Sequence, residues 1–212
     1  MKAKYILMTE RNLKMKNKIE KFTLKPLEDP KFITTSRAMY EQNGIAKSWE
    51  IVQAHDSVAI LIYHTQSDAF ILVQQFRPAV YINNDDGLTI ELCAGIVDKD
   101  LSLEEIAKEE IEEECGYSVP LEKIEKITSF YTSVGFAGSR QTLYYAEIDE
   151  SMKISEGGGV DAELIEVIQL PVSQLESFIF DESIAKTPGL MFAFLWWKQK
   201  GNVGVRIPRP TV

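Results

Sequence analysis

The chain has 212 residues, 45% of them hydrophobic and 26% charged, with a formal net charge of −9. That length suits one domain with an added arm and is ample for a hydrophobic core, and the composition excludes a disordered or fibrous protein. Residues 1–25 carry a net +6, which leaves −15 on residues 26–212. A body this acidic repels nucleic acid and anionic membranes, and the scattered lysines of the leader lack the aromatic interleaving of a nucleic-acid arm. No apolar run approaches the roughly 18 residues of a membrane span. The four-residue stretch at 5–8 is shorter than the about 7–15 apolar residues of a signal peptide. Met8 and Met15 leave the start codon open. With no export signal, Cys93 and Cys115 are read as reduced thiols and the expected location is cytoplasmic. Two histidines, His55 and His64, do not make a His-rich metal site, and His55 is read as structural.

In chain order, 1–45 reads as a strand-rich arm, 46–200 as the main domain and 201–212 as a tail. Short strands are expected over 33–35 and 48–52, with a polar Gln42-Asn43-Gly44 turn between them. Continuous apolar, β-branched content predicts a buried strand over 58–63. A second follows over 69–75, with Gln66-Ser67-Asp68 as the turn. The run 83–87 is a turn signal before a strand over 88–93. A helix then starts at Ser102, whose spacing to Glu105 is that of a capping box, and stops at Gly116. Strands are expected over 127–131, 142–148 and 164–170, with the glycine loop 157–159 before the last of these. A final helix starts at Thr187-Pro188. The pattern is α+β with a mixed sheet.

The helix over 104–114 holds seven Glu and one Lys. A solvated acidic face is the usual reading of such a run, but the angles oppose it. At about 100° per residue, Leu103, Ile106, Ala107 and Ile111 define an apolar arc. Glu110 and Glu114 fall in the middle of that arc and Glu113 on its edge, while Glu104, Glu105, Lys108 and Glu112 point outward. Carboxylates four apart repel, and burying them unpaired costs several kcal/mol each. A hard divalent cation is the simplest compensation. An EF-hand fails, because Gly87 as the loop glycine would put Ile82 and Cys93 at ligand positions. Before the helix, Glu91-Leu92-Cys93-Ala94-Gly95 is a strand running into a glycine loop. Such a loop lets backbone carbonyls and a phosphate approach the helix carboxylates.

The stretch 95–117, GIVDKDLSLEEIAKEEIEEECGY, resembles the signature box of the Nudix hydrolases, G-x5-E-x7-R-E-U-x-E-E-x-G-U. Gly95, Glu110, Ile111, Glu113, Glu114, Gly116 and Tyr117 match in register. The segments 55–58, 75–81, 138–142, 157–159 and 163–167 are similar to the UDP-sugar diphosphatase branch, a relative of the ADP-ribose pyrophosphatases. Two positions depart. Leu101 stands at the box's first Glu, with Glu104 or Glu105 as its replacement. Glu109 stands where the family has a basic residue that balances the carboxylates, and is expected to repel Glu113 instead.

The resemblance implies a Nudix-type α/β/α sandwich and Mg²⁺-dependent hydrolysis of a nucleoside diphosphate sugar, of UDP-glucose or ADP-ribose type, with Mn²⁺ as a substitute. Its implied metal ligands are Ala94, Glu110, Glu113, Glu114 and Glu163. Glu163 and Glu113 are the catalytic candidates, with Glu163 favoured over Asp161 on what reads as a mobile loop. Arg77, Arg140, Glu91 and Trp49 are the substrate-binding candidates. For Trp49 the core is the expected place, and stacking on a nucleobase across a dimer is its other reading. The resemblance further implies a homodimer built through the N-terminal arm. Two rival readings remain: a Nudix-fold nucleotide-sugar sensor with little turnover, favoured by Glu109, and an acidic metal buffer.

Overall fold

A computed structural model describes residues 19–160 and 163–201. The leader through residue 18, Asp161 and the tail from residue 202 lie outside the described residues.

Strands β1 (Ile33–Gln42) and β2 (Ile45–Ala54) pair antiparallel in a hairpin. Its turn residues Asn43 and Gly44 both have positive φ, 54° and 76°, as a two-residue turn matched to strand twist requires. Only the first three residues of β1 and the middle of β2 read as β in the sequence, and backbone pairing extends both to ten residues. The hairpin forms a two-stranded sheet of its own. It meets the main body where Val52 N–H donates to Phe136 O at 2.8 Å and Trp49 Nε1 donates to Gly135 O at 2.7 Å.

The main sheet is mixed. Its strands are β3 (Ser57–His64), β4 (Ala69–Phe76), β5 (Leu88–Glu91), β6 (Cys93–Ile96), β7 (Glu125–Thr132), β8 (Ser139–Ile148) and β9 (Ile165–Pro171). β3 runs parallel to β8 and antiparallel to β4 and β6. β3 and β4 pair only over Ile62–His64 against Ala69–Ile71. Beyond that point β3 pairs with β6, and β4 pairs with β5. The two central strands therefore splay, and β5–β6 fills the wedge. The expected single strand over 88–93 is corrected: Leu92 breaks it, because its two halves serve different partners.

Helices cover both faces. Helix α2 (Leu103–Glu110) continues as a π turn over Ile111–Cys115, and packs Ile106, Ala107, Ile111 and Cys115 on one face of the sheet. Helices α3 (Leu175–Phe180) and α4 (Pro188–Gly201) pack Leu175, Phe178, Leu190 and Phe194 on the other. This is the expected α/β/α sandwich. Two short helices escape the sequence reading. The first, α1 (Pro78–Asn84), buries no residue and so carries no apolar period. The second, α3, has six residues, too few for periodicity to stand out. No helix among the described residues is long and apolar enough to cross a membrane.

Candidate active site

Helix α2 begins as its sequence indicates. The Ser102 side chain accepts from Glu105 N–H, and the Glu105 carboxylate accepts from Ser102 N–H. It ends at Gly116, which is left-handed at φ 78°. Between these ends, Glu114 is 4% exposed, although an isolated buried carboxylate is costly. Its Oε2 accepts from Ala94 N–H at 3.0 Å. Glu110 lies against Gly95 so closely that any side chain there would overlap its carboxylate, which explains the glycine. Glu113 is half-buried beside them.

Burial pushes Glu110 up to about 7, with help from the charge of Glu113 and against the pull of Lys99. Burial likewise pushes Glu114 up to about 8; the Ala94 N–H opposes this, and the charges of Glu110 and Glu163 add to it. Both groups resist carrying charge in the absence of a cation, as a metal-binding pair does. Among the described residues no three His, Cys, Asp or Glu side chains already enclose a single ion.

Next to these carboxylates Arg77 donates to Glu91 from Nε at 2.8 Å and from Nη2 at 2.7 Å. Burial alone would raise Glu91, but the hydrogen bonds and charge of Arg77, with the Thr89 hydroxyl, outweigh it and hold the carboxyl below its usual range. Glu91 thus anchors the guanidinium in place. Arg77 also feels the charges of Glu114 and Glu163, which puts it at the edge of the acidic cluster. A cavity of about 640 Å³ opens from Arg77, Glu91 and Ala94 toward Phe130, Gln141 and Gly189, a volume that accepts a small-molecule ligand.

The loop expected to be mobile is tied down at its start. Gly158 N–H donates to Glu114 O at 2.8 Å and Gly159 N–H to Glu113 O at 3.1 Å. These bonds satisfy carbonyls that a helix end leaves open and bring Glu163 within electrostatic reach of Glu110 and Glu114. Glu163 Oε2 accepts from Val160 N–H at 3.0 Å. The structure therefore gathers Arg77, Glu91, Ala94, Glu110, Glu113, Glu114 and Glu163 in one region. Arg140 stands apart at the head of β8. Its backbone N–H donates to Asp56 Oδ1 at 2.8 Å. Trp49 is not in the core: it is 56% exposed on the hairpin, because β2 pairs with β1 and not with the main sheet.

Two further expectations change. Glu104 does not simply face solvent, since it accepts from the Tyr144 hydroxyl at 2.8 Å. Nor does Glu109 stand as an unbalanced charge, because Lys99 Nζ lies 2.6 Å from its Oε2. Sequence reasoning passed over Lys99 and Thr89. Lys99 carried one available signal, a lone cation next to an acidic helix.

A family model described as NUDIX domain matches residues 53–187. The chain belongs to the Nudix family. The matched span starts at the end of the hairpin and takes in every element of the acidic cluster. Among its relatives, a uridine diphosphate glucose pyrophosphatase NUDT14 of Bos taurus is 38% identical over 187 residues, covering 74% of this chain and 84% of that protein. The protein of the same name from Mus musculus is 37% identical over the same shares. A GDP-mannose pyrophosphatase of Pectobacterium atrosepticum is 39% identical over 136 residues, or 64% of this chain and 69% of its own length. The Nudix helix is α2 with its π turn, a distortion that recurs at functional sites.

Proposed function

We propose that this Nudix hydrolase cleaves the pyrophosphate bridge of a nucleoside diphosphate sugar to a nucleoside monophosphate and a sugar phosphate, and that it uses Mg²⁺, with Mn²⁺ as a substitute. The observation that carries this reading is the pair of buried carboxylates, Glu110 and Glu114, set against the Ala94–Gly95 backbone with an anchored arginine beside them. The relatives named for UDP-glucose and GDP-mannose support the substrate class. Substrates of the ADP-ribose type belong to the same proposal.

A divalent cation held by Glu110, Glu113, Glu114, Glu163 and the Ala94 carbonyl would offset the diphosphate charge and make a bound water more acidic. Arg77, fixed by Glu91, keeps guanidinium N–H groups for phosphate oxygens. Glu163 Oε1, opposite the oxygen that Val160 holds, accepts the proton of the attacking water. The body's negative charge repels a free dianion, so binding depends on the cation and Arg77 together. Arg140 and Trp49 contact the outer parts of the substrate, Trp49 across a homodimer. The sensor alternative rested on Glu109 as an unbalanced charge, and its ion pair with Lys99 removes that support. Incubation with UDP-glucose, GDP-mannose and ADP-ribose, with and without Mg²⁺, should release the monophosphate from at least one in a Mg²⁺-dependent manner. Intact substrate in all three mixtures would reject the reading.

A further inference from the structure

The Nudix pattern has a basic residue at position 109, and this chain has Glu109. A positive charge is nevertheless present at this place. Lys99 Nζ meets Glu109 Oε2 at 2.6 Å, and the ammonium also acts on Glu110 and Glu113. Lys99 belongs to the segment between β6 and α2, and Glu109 to the last turn of α2. The ion pair thus bridges the two pieces that build the cation cradle. One piece contributes the Ala94 N–H and the close approach of Gly95; the other contributes Glu110 and Glu114.

We infer that Lys99 and Glu109 form a charge-inverted clamp that positions the β6–α2 segment against the carboxylates and keeps Glu109 from acting as a surplus cation ligand. The inference rests on the reading of α2 as the cation site. Both side chains are substantially exposed, at 44% and 40%, and such a pair contributes little to stability. Its consequence is geometric. Glu109 adjoins Glu110 and lies four residues before Glu113, so once released it extends the acidic strip. Without Lys99 the strip gains negative charge and loses a cation. Metal binding should then tighten while the reactive geometry deteriorates. Lys99 and Glu109 are therefore positioning residues, with opposite effects on affinity and on turnover.

The test combines Mn²⁺ binding, read by electron paramagnetic resonance, with turnover at saturating cation. Lys99→Met should lower kcat about tenfold, the scale of a small misplacement at a reacting centre, with Mn²⁺ affinity unchanged or tighter. The double variant Lys99→Glu with Glu109→Lys should return kcat to within about threefold of the parent, as coupling within a directly contacting pair predicts. Unchanged kcat in Lys99→Met, weakened Mn²⁺ binding in it, or no rescue by the double variant would each overturn the clamp. Glu110→Gln serves as the control for the underlying site. If it weakens Mn²⁺ binding while Lys99→Met changes nothing, the clamp alone is wrong. If Glu110→Gln binds Mn²⁺ as the parent does, the cation site itself is wrong, and the clamp falls with it.

Discussion

At the scale of single residues, Glu114 is a carboxylate under tension. It is buried, it accepts one backbone N–H, and the charges of Glu110 and Glu163 push its carboxyl further up. Glu114→Gln preserves the shape and the bond from Ala94 but removes the charge that would hold a cation. It and Glu110→Gln should each lower kcat by about 10²-fold or more, about 2.7 kcal/mol of transition-state stabilisation. Steady-state kinetics with saturating Mg²⁺ checks this. The same tension sets a pH dependence for the metal-free protein. Folded-state values of about 7 for Glu110 and about 8 for Glu114 lie above those of an unfolded chain. The folded form therefore binds more protons, and its stability is fullest below the ordinary carboxylate range and is lost as pH rises through 8. Glu91 is shifted the other way, and its contribution is lost only as pH falls below the ordinary range. Thermal melts of the metal-free protein between pH 5 and 8.5 should show Tm falling with pH. Mg²⁺ should restore it at the upper end, and Glu114→Gln should flatten the slope. A Tm that rises over this interval would contradict the assigned burial of the two carboxylates.

Elements set how near these groups come to one another. The splay of β3 and β4 admits β5–β6, and β6 brings Gly95 against the last turn of α2. Gly95→Ala would put a methyl group into the Glu110 carboxylate. The contacted atoms end a flexible side chain, so the protein should fold with little loss of stability, while Glu110 swings away from the cation. A fall in kcat of at least about tenfold with a near-normal melt is the expected result, checked by pairing kinetics with calorimetry. The π turn is the second device at this scale. It leaves carbonyls of Glu113 and Glu114 for the N–H groups of Gly158 and Gly159. The helix end thereby sets the start of the loop that carries Glu163.

At the scale of the whole molecule, the β1–β2 hairpin projects as a separate sheet with large apolar side chains in water. Met39, Ile45 and Trp49 are each more than half exposed. Open strand edges beside apolar surface invite pairing with another chain, which is the basis for proposing a homodimer. Because the hairpin is one unit, a deletion should remove it whole, through residue 54. The shortened protein should be monomeric by light scattering and have a raised KM, while Mn²⁺ still binds at Glu110 and Glu114. A full-length protein that is monomeric at micromolar concentration would reject this assembly.

The α2 segment was legible in the chain without any structure. Caps at Ser102 and Gly116 and apolar residues at helical spacing are local signals. Carboxylates at 110 and 114 on the core stripe conflict with burial, and that conflict is the local signal of a cation site. Strands β3, β4 and β8 were equally legible, because a buried strand is a largely continuous apolar run. Features that depend on partners distant in the chain emerge only from packing. Leu92 breaks a strand because β3 and β4 diverge around it. Trp49 stays in water because β2 pairs with β1. Glu109 is balanced by Lys99, ten residues away across a loop, and Glu91 holds Arg77 from a neighbouring strand. Periodicity reports which way a side chain faces, whereas an ion pair between two elements depends on where packing brings them, and packing is a property of the whole chain.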